Sequence, residues 1–293
     1  MGTIGYYLAL PFLYGSALLP FPILYLLSDV MYLVIYRLLG YRKTVVLTNL
    51  RNSFPEKSEA EVQKIARDFY QWFCDLVVET LKTLTMSPIT VKERVEFIGK
   101  EILRDYAARK QSVVVVLGHF GNWELAGARY SAEPGLPQLY VIHHPLQNKH
   151  FDRLMHRMRT RHGTMLYTMR ETSKAMFRDQ HLNTATAFIA DQTPAPERAY
   201  WMTFLGQDTP VFQGTETLSR KLGYPVVYIS ITRPKRGHYR MAVETLVADP
   251  AVTRKGEITE IHTKRLEQDI RNYPDLWLWT HRRWKHLRPS GVT

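Results

Sequence analysis

Val113-Val114-Val115-Val116-Leu117-Gly118-His119-Phe120-Gly121-Asn122-Trp123-Glu124 is the stretch that decides how this chain is read. Its unbroken aliphatic run predicts a buried strand of the parallel kind, covered on both faces. Gly118 and Gly121 then let backbone or substrate approach closely. Between them stands one histidine, with one carboxylate five residues further on. In open α/β sheets reactive groups gather at the carboxyl ends of strands, which is where His119 falls. Imidazoles titrate near neutrality, so a histidine held there suits removal of a proton from a hydroxyl. The helix that follows brings free N–H groups suited to an oxyanion or a phosphate. Positions i and i+5 lie about 140° apart on an ideal helix, unlike the i, i+4 histidines of a zinc helix. His119 in the turn and Glu124 in the first helical turn would meet through the loop, and a purely structural histidine is the competing reading.

Downstream, strand and helix signals alternate. Strands are expected at 138–142, 184–190, 200–204, 226–232 and 239–247. Helices are expected at about 125–130, 149–161, 173–180, 215–222 and 258–273. Upstream, Ser53-Phe54-Pro55-Glu56 is a turn, and Ser58 with Glu61 forms a capping box opening a long helix. Phe69, Phe73, Leu76, Val77, Leu81 and Leu84 keep helical spacing to about Met86, and a short helix near 101–110 leads into the Val113 strand. The pattern predicts an α/β fold with a mostly parallel central sheet covered by helices.

The 293 residues are 45% hydrophobic, enough for a large core. A single cysteine, Cys74, excludes an intramolecular disulfide, and its apolar helical setting reads as core. The histidine pair His143-His144 has no carboxylate spaced to complete a site, so no catalytic metal is expected. Thirty-nine lysines and arginines against 27 acids give a net charge of +12, which predicts a polyanionic partner: nucleic acid, anionic headgroups or an acidic carrier protein. No nucleic-acid module is recognisable.

Residues 1–28 carry no charge, and the first 40 carry only Asp29 and Arg37. With no basic residue ahead of the apolar run, a cleaved signal fits poorly. The run is long enough to span a bilayer, although Pro11, Pro20 and Pro22 interrupt it. Arg37, Arg42, Lys43 and Arg51 follow, which would put the next domain on the cytoplasmic side. The expected organisation is a membrane anchor over 1–40, a helix or hairpin that spans or embeds on one face, and a catalytic domain over 41–293. The competing reading is a kinked hairpin packed on the domain itself.

Five blocks in order resemble the bacterial lipid A late acyltransferases (the lauroyl and myristoyl type) of the lysophospholipid acyltransferase superfamily. They are Gly118-His119-Phe120-Gly121-Asn122-Trp123-Glu124, the asparagine-and-arginine helix from Asn148 to Gly163, Asp191-Gln192, Phe204-Leu205-Gly206 with Gln213-Gly214-Thr215, and Trp277 through His281 to Lys285. Together they cover about residues 5–288. His143-His144-Pro145 stands where many members have Tyr-Arg-Pro, and Lys149 where proline is common.

The resemblance implies transfer of a long acyl chain from a carrier thioester to a lipid hydroxyl. His119 would be the base and Glu124 would orient its imidazole. Arg159, with Arg161 behind it, would hold an oxyanion or substrate phosphate, though an arginine helix also serves as a plain solvated face. Asp191 would order Arg159 or the acceptor, or simply cap its turn. Asn122 joins these as a substrate-side candidate. The tryptophans of the last block suit packing, and its basic residues suit headgroups. The donor implied is acyl-carrier protein or acyl-CoA, and the leading acceptor a lipid A precursor at the bacterial inner membrane, with no redox cofactor. Other acceptor lipids, or a non-catalytic anionic-lipid or nucleic-acid binder, are the alternatives.

Overall fold

The computed structural model describes residues 3–290. Five helices come first: α1 (Thr3–Leu18), α2 (Phe21–Tyr32, continued by a π-helical stretch Leu33–Leu38), α3 (Lys43–Ser53), α4 (Glu59–Lys82) and α5 (Pro88–Arg94). The expected capping box opens α4, since Ser58 N–H donates to Glu61 Oε2 at 2.8 Å and Ser58 Oγ accepts from Glu61 N–H. The helix ends at Lys82 rather than near Met86. There Thr83 Oγ1 turns back to the Thr80 carbonyl and Thr85 Oγ1 bonds the carbonyl of Ala17 on α1.

The remaining elements alternate: β1 (Val95–Ile98), α6 (Lys100–Ala108), β2 (Val113–Leu117), α7 (Trp123–Ser131), β3 (Gln138–His143), α8 (Lys149–Thr160), β4 (Met165–Thr168), α9 (Thr172–Arg178), β5 (Thr184–Ile189), β6 (Tyr200–Phe204), β7 (Gln207–Val211), α10 (Gly214–Leu222), β8 (Val226–Lys235), β9 (His238–Val247) and α11 (Glu257–Asn272). Seven strands form one sheet in the order β1-β9-β8-β2-β5-β3-β4, parallel at every pairing except β8–β9. The expected α/β class is therefore the one found. Tyr200–Phe204 differs: with Gln207–Val211 it makes a separate antiparallel hairpin, and its Trp201 and Phe204 are buried.

Strand β2 lies at the centre, and all five of its residues are buried. Val114 and Val116 face a core shared with α3, α4, α11 and the C-terminal tryptophans. Val113, Val115 and Leu117 face a second core built with α5, α6 and α7. Two covered faces explain why the strand is apolar throughout instead of alternating. The β2–β5 register pairs Leu117 with Ile189, and Ala190 N–H then bonds the Leu117 carbonyl at 3.2 Å. The two residues just beyond, His119 and Asp191, leave neighbouring strands side by side.

The N-terminal segment also shows two faces. Leu24, Ser28 and Tyr36 are buried, whereas Leu26, Val30 and Leu33 are exposed. Phe21–Leu38 is long and apolar enough to cross a membrane.

Candidate active site

Backbone geometry fixes the turn after β2. Gly121 sits at φ +63°, and a Cβ there would lie 2.2 Å from the Ile231 carbonyl oxygen, so only glycine fits. A Cβ on Gly118 would lie 2.7 Å from Leu266 and 3.2 Å from Asp191 Oδ2. From the other side, the C-terminal segment pairs with the turn. Gly121 N–H donates to the Leu276 carbonyl at 2.9 Å, and Leu278 N–H to the His119 carbonyl at 3.2 Å.

The carboxylate on His119 is Asp191, which corrects the orienting role expected of Glu124. Asp191 Oδ1 lies 2.7 Å from His119 Nδ1, while Oδ2 accepts the His119 backbone N–H and the Trp277 indole N–H, each at 2.7 Å. Burial works to raise the Asp191 pKa. The His119 charge and these hydrogen bonds outweigh it and hold the carboxyl at about 2. An ionised Asp191 takes the proton-bearing Nδ1, so Nε2 is left as the basic nitrogen. Gln192 Nε2 approaches that atom at 3.4 Å, and the Trp123 ring stands edge-on 4.9 Å away.

Glu124 instead grips Arg159 through one fork of three hydrogen bonds. Arg159 Nε reaches both carboxylate oxygens, at 3.1 and 3.0 Å, and Nη2 reaches Oε1 at 2.5 Å. Burial pulls the Arg159 pKa down, but the Glu124 charge and hydrogen bonds more than reverse it. The Arg159 guanidinium therefore stays charged.

His119, Glu124 and Arg159 line one cavity of about 620 Å³, with Asp191 behind the imidazole and outside the wall. Its rim is polar, with His143, His144, Asp152, His156 and Gln192. Its depth is apolar, with Val115, Ala126, Leu139, Met158, Ile229 and Met241. A volume of this size takes a ligand of tens of atoms, anchored by few polar groups.

Two other candidates lie outside it. Asn122 is fully buried and caps α7: Oδ1 accepts Leu125 N–H at 2.9 Å, and Nδ2 donates to Glu79 at 2.8 Å. It holds the helix and, fully buried outside the cavity wall, does not face a substrate. Arg161 is exposed at the end of α8 and is not part of the cavity wall. Arg283 is a residue the sequence reading assigned to headgroups, yet it is 1% exposed and lines a second, tiny cavity with Asp191 and His262. Burial pulls its guanidinium down to about 10 against the opposing pull of Asp191. Trp277 and Trp279 pack as expected, both fully buried. Trp277's bond to Asp191 spans 86 residues, a distance across which local spacing carries no signal.

A strand-end histidine backed by a carboxylate, and an arginine–carboxylate fork, both opening on one deep apolar cavity, are the parts of an enzyme for amphipathic substrates. Residues 1–286 match the family described as bacterial lipid A biosynthesis acyltransferase, and the chain belongs to that family. It is thus an acyltransferase. The chain is 25% identical to the lipid A biosynthesis lauroyltransferase of Escherichia coli K12 over 94% of its own length and 89% of the relative's. Against the E. coli palmitoleoyltransferase and the Shigella flexneri lipid A biosynthesis acyltransferase the identity is also 25%, over 93% of the chain and 88% of each relative.

Proposed function

We propose that the protein moves a long acyl chain from an acyl-carrier thioester to a hydroxyl of a lipid A precursor, with His119 as general base. The observation that carries this reading is His119, backed by Asp191, at the mouth of the apolar cavity. The acceptor hydroxyl gives its proton to His119 Nε2 as its oxygen attacks the thioester carbonyl. The tetrahedral intermediate collapses with loss of the thiolate, which takes the proton back from the imidazolium. Asp191 fixes the tautomer and steadies the charged ring. The fork on Glu124 uses Nε and Nη2 of Arg159, so the Nη1 edge is directed to an oxyanion or a substrate phosphate. The apolar depth of the cavity receives the acyl chain.

Acyl-carrier protein is the proposed donor, because an acidic carrier suits a domain of this charge; acyl-CoA is the alternative. The lipid A acceptor rests on the activities by which the relatives are named. Residues 1–40 act as the anchor at the bacterial inner membrane, with the catalytic domain on the cytoplasmic side. The test is transfer by the purified protein from acyl-carrier protein or acyl-CoA to a lipid A precursor, read by mass spectrometry. One added acyl group, abolished in His119→Ala, is the expected product. Acylation of other lipids alone would refute the acceptor, and full activity in His119→Ala would refute the base.

A further inference from the structure

Phe21–Leu38 has 18 residues and a mean hydropathy of 1.5, so length and composition alone would let it cross a bilayer. Its partners forbid that. The segment runs antiparallel along α4 for its whole length. Lys82 Nζ caps the Ala17 and Leu19 carbonyls, both at 2.8 Å. Tyr25 donates to Glu79 at 2.8 Å, Ser28 to Asp75 at 2.7 Å, Gln71 to Asp29 at 2.7 Å, and the Tyr36 and Tyr70 rings meet at 5.0 Å. At the midpoint Asp29 is also paired with Arg236, in the β8–β9 turn, at 2.6 Å, and Arg236 shares Asp75. Were Phe21–Leu38 to cross, these bonds would draw α4 and that turn into hydrocarbon. Helix α4 carries Glu59, Glu61, Lys64, Arg67, Asp68, Asp75, Glu79 and Lys82, which no bilayer core accepts.

The opposite face is a stripe of exposed side chains at helical spacing: Ile23, Leu26, Leu27, Val30, Leu33 and Leu38. Phe12 and Leu18 of α1 extend it, at 80% and 70% exposure. Exposed Arg37 and Arg42 close one end. We infer that α1, α2 and the π-helical stretch lie in the plane of one anionic leaflet, sunk by this stripe, and that the chain does not cross the membrane. The depth is that of an interfacial helix, roughly 5–10 Å. The inference deepens, and rests on, the anchor reading of residues 1–40. Helix α1 also packs on α8 through Tyr6 against His150 and Phe151, and the next turns of α8 supply Met155, His156 and Arg159 to the cavity. The leaflet thus borders the wall of the active site.

The test uses the full chain with one cysteine in a tag ahead of Met1 and, in a second version, Ser290→Cys. Cys74 is silent in both, being buried with its thiol pushed up to about 12. A membrane-impermeant maleimide applied to spheroplasts and to inverted vesicles labels both cysteines from the same side. Labelling from opposite sides would overturn the inference and leave the anchor intact; absence of the unmodified protein from the membrane fraction of cells would remove the anchor reading itself. In parallel, Leu26→Glu/Val30→Glu lowers flotation with phosphatidylglycerol–phosphatidylethanolamine vesicles by at least about tenfold at unchanged thermal stability. Unchanged flotation would also overturn it. Activity on detergent-dispersed substrates reports separately on acyl transfer.

Discussion

Asp191 and Glu79 are two carboxylates buried to the same degree in one domain, yet their protons are driven in opposite directions. Asp191 is held at about 2, and Glu79 is pushed above the usual carboxylate range. Burial raises both; the partners decide the outcome. Asp191 faces an imidazole that carries charge in one of its states, and it takes two N–H donors besides. Glu79 receives two phenols and one amide, from Tyr239 at 2.6 Å, Tyr25 at 2.8 Å and Asn122 at 2.8 Å, while the charge of Asp75 opposes its ionisation. One carboxylate is set up to stabilise a proton in transit. The other joins α2, β9 and the cap of α7 at one point.

The comparison breaks most sharply on activity. Asp191→Asn keeps size and shape but loses the charge that fixes the tautomer, and acyl transfer falls by roughly 10³–10⁴-fold. His119→Ala falls to the same floor, and the double variant falls no further, because the two act as a unit. Initial rates of the purified enzymes check this. An Asp191→Asn protein within about threefold of wild type would remove Asp191 from the mechanism.

Glu79 is expected to respond the other way. Glu79→Gln preserves an acceptor for Tyr239 and Asn122 and offers Tyr25 a donor, so it costs under about 1 kcal/mol and leaves activity near wild type. Glu79→Ala strands three buried polar groups and costs roughly 3 kcal/mol. Chemical denaturation of both variants gives the two numbers, and equal losses would mean that Glu79 works as an anion after all.

Glu124 is an intermediate case, paired with Arg159 at the cavity wall. Arg159→Lys keeps the charge and loses the fork, so kcat/KM falls by about tenfold, mostly through KM for the phosphate-bearing substrate. A fall confined to kcat would instead place Arg159 on the oxyanion.

The unequal legibility of these pairs has a physical cause. Val113–Leu117 and the alternation after it were readable because burial on one or two faces writes a period into the sequence. Strands β1 and β4 were not, since four residues are too few to establish a period, even where burial alternates as it does in β1. Helix α3 escaped too, although its Asn49 ties down the Trp279 and His281 carbonyls. His119 was legible from its strand end and its glycines. Its partner was not, because proximity in sequence favoured Glu124, whereas the parallel register of β2 with β5 delivers Asp191 from 72 residues away. Asn122 misled for a related reason: a cap and a ligand-binding amide look identical until the direction of the side chain is known.

The finest test of the comparison is the pH dependence of stability. A carboxyl whose folded pKa is depressed contributes stability above its unfolded pKa and loses it as pH falls, so the Asp191 contribution, roughly 2 kcal/mol, disappears between about pH 4 and pH 2. Glu79 is raised, so its contribution is complete below its unfolded pKa and drains away as pH climbs through the folded value. The limiting slope is roughly 1.4 kcal/mol per pH unit. Two histidines act on the acid side of the same range. His262 and His281, pushed down to about 4 by burial, must charge on unfolding and reduce stability as pH drops below about 6.5. Glu79→Gln leaves that acid limb alone and removes the alkaline one. Its melting temperature therefore gains on wild type as pH rises above the ordinary carboxylate value of about 4.5, while the difference between the two below it stays small. Parallel curves across that range would show that Glu79 ionises in the fold as readily as in the unfolded chain, and the contrast with Asp191 would be lost.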